Sequence, residues 1–67
     1  MSLDLPILRD LKAGQSTASS IAGRLGRTEA EIVARLGLMY VERFVDSKPL
    51  SVLTVWFLTE AGLQHVI

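Results

Sequence analysis

The chain has no cysteine among its 67 residues. That excludes a disulfide framework and any thiolate metal site. It has a single histidine, His65, so a metal centre needing three or four nitrogen, sulfur or carboxylate ligands is not expected. His65 also has no glycine-rich phosphate loop beside it and reads as an ordinary helix residue. Ser16, Ser19 and Ser20 have no base in sequence view, and their expected work is helix capping and solvent contact. The pattern therefore points away from an enzyme and calls for no cofactor. Long apolar runs are missing too: none approaches the roughly 20 residues of a membrane span. Asp4, Arg9 and Asp10 come too early for a signal peptide. Together with the lack of cysteine this fits a cytoplasmic protein with no membrane partner. Finally, there is no excess of either charge, with seven Lys plus Arg against seven Asp plus Glu. Nucleic-acid binders usually carry a basic face, because phosphate neutralisation supplies most of their non-specific affinity. A neutral chain meets that need only by segregating its charges.

What is abundant is aliphatic surface. Hydrophobic residues make up 49% of the chain although aromatics make up only 6%, and the mean hydropathy is +0.38. The length allows one domain, residues 1–67. A domain this small buries only about 60% of the surface its unfolded chain exposes, so it needs a dense core or a partner.

The stretch from Ser16 to Leu36, STASSIAGRLGRTEAEIVARL, organises the rest. Its first half predicts a helix from about Thr17 to Leu25, capped by Ser16 or Thr17, with Ile21, Ala22 and Leu25 facing inward. Gly26 stands where that helix must stop, since a left-handed residue costs glycine no Cβ clash. Thr28 opens the next helix with Glu31 three residues on, the capping-box spacing. Ile32 and Leu36 continue as an i, i+4 apolar stripe, and the helix is expected to reach Leu38 or Tyr40 despite Gly37. Close approach of another backbone, or fraying of the helix end, would account for that glycine. Upstream, Asp4 is the expected cap of a first helix. Pro6 sits in its first turn, Ile7, Leu8 and Leu11 form its apolar side, and it stops near Ala13-Gly14.

Downstream, Val41 to Val45 and Ser51 to Leu58 read as two strands rich in β-branched and aromatic residues, with Asp46-Ser47-Lys48-Pro49 as the turn. The second strand is apolar on both faces. Thr54, Trp56 and Leu58 point one way, and Leu53, Val55 and Phe57 the other. A strand of that kind is usually covered on both sides. Thr59 then caps a short last helix with Leu63, Val66 and Ile67 on its apolar side.

The helix–Gly–helix unit with Ala22, Gly26 and Ile32, followed by two strands and the segment LTEAGL at Leu58 to Leu63, resembles the winged-helix DNA-binding regulators of bacteria and phages. The resemblance implies an α+β fold, a compact winged helix of three helices, a two-stranded hairpin wing and a short C-terminal helix. It implies a small transcription regulator that binds double-stranded DNA as a homodimer. Its groove-facing positions would be Thr28, Glu29, Ala30, Val33, Ala34 and Gly37, and Arg24, Arg27, Arg35, Arg43 and a wing-tip Lys48 would hold phosphates. Trp56 and Leu58 would pack on the helices with Leu8 and Leu11. That leaves Leu53, Val55 and Phe57, with Val66 and Ile67, as the expected dimer interface. The groove-facing set has no Arg, Lys, Asn or Gln, the usual readers of guanine and adenine. The alternative is a winged helix that docks another protein and binds little or no DNA.

Overall fold

The computed structural model describes residues 3–66. Seven elements follow one another: α1 (Asp4–Lys12), β1 (Ser16–Thr17), α2 (Ala18–Leu25), α3 (Glu29–Val41), β2 (Val45–Leu50), β3 (Leu53–Leu58) and α4 (Glu60–Val66). The local signals explain most of the helix ends. Thr17 caps α2, its Oγ1 accepting from the Ser20 N–H. Gly26 closes α2 at φ 66°. Thr28 and Glu31 form the full capping box of α3, with each side chain accepting from the other's backbone N–H at 3.2 Å. At α1 the expectation fails: Leu3 holds the cap position with no side-chain bond, and Asp4 lies inside the first turn. The Asp4 carboxylate is drawn instead to Arg35 on α3, 2.8 Å away.

The three helices close on one core. Ile7, Leu8 and Leu11 of α1, Ala18, Ile21 and Ala22 of α2, and Ile32, Leu36 and Met39 of α3 are buried together with Val45. Leu25, Trp56, Leu58 and Val66 pack against this cluster while staying partly exposed. The apolar side of α4 is therefore carried by Val66 and by Gly62, which is buried, whereas Leu63 is exposed. Ile67 lies outside the described residues.

The strands depart most from expectation. Val41 belongs to α3, which runs past the exposed Gly37, and a Cβ on Gly37 would meet nothing within 4 Å. Neither close approach nor fraying explains that glycine. The helix ends instead in a Schellman arrangement. Arg43 adopts φ 68°, its N–H donates to the Tyr40 carbonyl, and the Phe44 N–H donates to the Met39 carbonyl. Glycine usually takes that position, so an Arg there gave no stop signal. With β2 starting at Val45 and pairing Val45 with Leu58, the antiparallel register places the turn at Ser51-Val52. Ser51 has φ 61°, and a positive φ at the first central residue alone is the sign pattern of a type II′ hairpin turn. Asp46 to Pro49, expected as the turn, lies within β2. Pro49 is tolerated because β2 is an edge strand in the order β1-β3-β2.

The two-residue strand β1 was not foreseen. It pairs antiparallel with β3, Ser16 to Trp56 and Thr17 to Val55, and turns the expected hairpin into a three-stranded sheet with β3 at its centre. The LTEAGL segment is anchored at the other end of β3. The Thr59 hydroxyl donates to the Arg43 carbonyl at 2.6 Å and accepts from the Gly62 N–H, and the Thr59 N–H donates to the Phe44 carbonyl. Gly62 lies so close to Phe44 that a Cβ there would overlap the Phe44 carbonyl.

Candidate nucleic-acid interface

The capping box does two things for α3. It fixes the first turn of the helix, and it occupies Thr28 and Glu31 with each other. The Thr28 backbone N–H, then its hydroxyl, then Arg27 hold the Glu31 carboxyl below the usual carboxylate range. Because Ile32, Leu36 and Met39 point into the core, the opposite side of α3 presents Glu29, Ala30, Val33, Ala34 and Gly37 to solvent. Val33 is 47% exposed. The groove-facing residues expected from the sequence thus share one accessible surface, with Thr28 at its edge engaged in the cap.

Beside this surface stands the hairpin. Between them runs an open groove of about 340 Å³, bounded by Ser19 of α2, Glu29 and Val33 of α3, and Val52, Thr54 and Trp56 of the hairpin. Trp56 also meets Tyr40 of α3 edge to face, ring centroids 6.3 Å apart. The hairpin tip is apolar. Val52 is 95% exposed, with Leu50 and Leu53 flanking it. Lys48, expected at the tip, pairs with Val55 within the strands, and its ammonium lies 5.7 Å from the centre of the Phe57 ring.

The five cations divide into two groups. Arg24 makes a bidentate bond to Asp10, both contacts at 2.7 Å, and a third to the Ser16 hydroxyl. Arg35 binds Asp4, and Arg27 lies 3.5 Å from Glu31. These pairs tie α2 and α3 to α1 or brace the start of α3. Among the described residues, Arg43 and Lys48 form no ion pair. Exposed pairs are worth about 0–1 kcal/mol, and Arg24 keeps half its side chain exposed, so a phosphate can compete for it. The acidic partners were the feature sequence reasoning missed. Asp10 and Asp4 lie 14 and 31 residues from their arginines, and no local pattern links them; only Arg27 and Glu31 stand at a helical i, i+4 spacing.

The face carrying Leu53, Val55 and Phe57 also differs from expectation. Val55 is only 5% exposed within the single chain. As a central strand β3 has Thr17 opposite Val55 on one side and Lys48 on the other. Val55 therefore needs no second copy to cover it. Leu53 remains exposed, Phe57 is half-buried beneath Lys48, and Val66 packs on the core.

Among the described residues no group of three His, Asp or Glu could hold a metal, and His65 stacks on Phe44, ring centroids 4.7 Å apart. No helix among them is long and apolar enough to cross a membrane.

The chain matches no protein-family model and no curated protein. Solved structures do match it. The adhesin competence repressor AdcR of Streptococcus pyogenes superposes with a TM-score of 0.92 at 17% identity, over 98% of this chain and 52% of that one. ZitR of Lactococcus lactis, a zinc-responsive MarR family member, gives 0.89 at 25% identity over 98% and 48%. One ZitR structure holds DNA. Mb0332 of Mycobacterium bovis, a homodimeric winged helix-turn-helix DNA-binding domain of a possible ArsR-family regulator, gives 0.80 at 22% over 92% and 55%. The chain spans about half the length of these proteins. What these likenesses share is the fold, and the chain has the winged-helix fold.

Proposed function

We propose that this winged helix is the DNA-binding part of a bacterial-type transcription regulator that works in the cytoplasm as a homodimer. The observation that carries the reading is the uncovered outer face of α3 beside the hairpin, the arrangement in which a recognition helix enters a major groove. Support comes from the ZitR structure with DNA and from the homodimeric state of the Mb0332 domain. Arg43 and Lys48 are the cations ready for phosphate, and Arg24 and Arg27 join by exchanging their carboxylates.

The test is a fluorescence-anisotropy titration of duplex DNA at two salt concentrations. With two to four phosphates neutralised per chain, log K falls by about 2–4 per log unit of salt. Glu29→Lys tightens non-specific binding. Sedimentation equilibrium tests the dimer. No binding at low salt by the folded protein sinks the reading. A second reading, a protein-docking winged helix, is favoured by the apolar groove between Val33 and Val52, and that negative result would select it.

A further inference from the structure

If α3 lies in a major groove, the bases meet a chemically narrow set of side chains. Thr28 and Glu31 are bound to each other, Arg35 is bound to Asp4, and Arg27, beside Glu31, goes to phosphate. What remains on the exposed face of the first two turns is one carboxylate, Glu29, and the aliphatic surfaces of Ala30, Val33 and Ala34. Glu29 makes no ion pair among the described residues, so its oxygens are available. An ionised carboxylate only accepts hydrogen bonds. In the major groove guanine offers two acceptors, adenine sets its N6 donor beside the N7 acceptor, and cytosine offers the N4 donor with no acceptor of its own beside it. Cytosine is the base that suits Glu29. The aliphatic residues suit the thymine C5-methyl group. The two alanines are small enough to let the helix axis approach the base edges. Val33 lies one turn from Glu29, about 6 Å along the axis, a span that covers neighbouring base pairs.

We propose that α3 selects a cytosine flanked by thymine, with Glu29 accepting from cytosine N4–H and Val33, with Ala30 or Ala34, packing on thymine methyls. This rests on the DNA-binding reading, and it makes Glu29, the residue least welcome near phosphate, the main source of base selectivity.

The experiment is selection of duplexes from a randomised library by the full chain at low salt, followed by titration of the best duplex and its variants. Cytosine with at least one neighbouring thymine is enriched. Deoxyuridine in place of that thymine removes only the methyl and weakens binding about fourfold. Glu29→Gln moves the preferred base at the cytosine position to adenine, which Gln reads with both its donor and its acceptor, by about fivefold or more. Glu29 is exposed, and an unchanged urea midpoint shows that the variant is folded. Duplexes enriched without cytosine or thymine, uracil duplexes that bind as well as their thymine parents, or an unaltered preference in Glu29→Gln would overturn the proposal alone. Retention of no duplex at all would overturn the DNA-binding reading with it.

Discussion

The same substitution should have opposite effects at two helical glycines. A Cβ on Gly62 would lie 2.9 Å from the Phe44 carbonyl carbon, closer still to its oxygen, and 3.2 Å from Leu58 Cδ2. Backbone cannot turn aside as a flexible side chain can. Restoring an ordinary separation of about 3.5 Å means moving α4 away from the 42–44 turn by roughly an ångström or more. That movement breaks the bonds from Thr59 to the Arg43 and Phe44 carbonyls and loosens Val66 from the core. Overpacking of this kind costs about 1–3 kcal/mol, and each lost hydrogen bond adds about 0.5–1.5 kcal/mol. Gly62→Ala should therefore lose about 2–6 kcal/mol, against a total of roughly 3–10 kcal/mol for a domain of this length. At about 4–8 °C per kcal/mol, Tm falls by roughly 10–50 °C. Gly23 is exposed inside α2, and a Cβ there meets nothing within 4 Å. Gly23→Ala should gain about 0.4–1 kcal/mol by restricting the unfolded chain. Urea unfolding followed by far-UV circular dichroism and by Trp56 fluorescence measures both. A Gly62→Ala loss below about 0.5 kcal/mol, or a Gly23→Ala loss of similar size to that of Gly62→Ala, refutes the close approach of α4 to Phe44 as the reason for the glycine.

Leu36→Ala removes a side chain with no solvent exposure and should cost about 2–5 kcal/mol in urea unfolding. Arg43→Gly relieves a left-handed arginine and should raise the unfolding free energy, read from urea titration, by on the order of 1 kcal/mol; the loss of a phosphate-binding cation should at the same time flatten the salt dependence of any DNA binding. The Glu31 carboxyl is held low by Thr28, so it contributes stability above its unfolded pKa of about 4.3 and loses it as pH falls through the lower folded value. Urea midpoints of Glu31→Ala and wild type should differ at pH 7, and the difference should shrink as pH falls below about 4.3. Val55→Glu puts a carboxylate into a site closed within the chain, and it should unfold or severely destabilise the protein at any concentration; a folded variant altered only in sedimentation would mean that this residue faces a second subunit.

Features written along a few consecutive residues were legible from the sequence. Thr28 and Glu31, Gly26, Thr59 and the i, i+4 stripe of Ile32 and Leu36 act through bonds three or four residues apart, so their spacing carries their meaning. The helix-turn-helix and the exposed face of α3 followed from them. Tertiary structure decided what depends on distant partners. Strand β1 exists because two residues before α2 lie along the free edge of β3, where Thr17 stands opposite Val55, and Val55, which the sequence had left on an uncovered face, is buried within the chain. The end of α3 at a left-handed arginine set where β2 begins, and the register of Val45 with Leu58 then moved the turn to Ser51-Val52 and carried Lys48 away from the tip. The ion pairs Arg24–Asp10 and Arg35–Asp4 join residues 14 and 31 apart. Charge in a sequence tells that a side chain is cationic; only the fold tells whether a carboxylate already holds it.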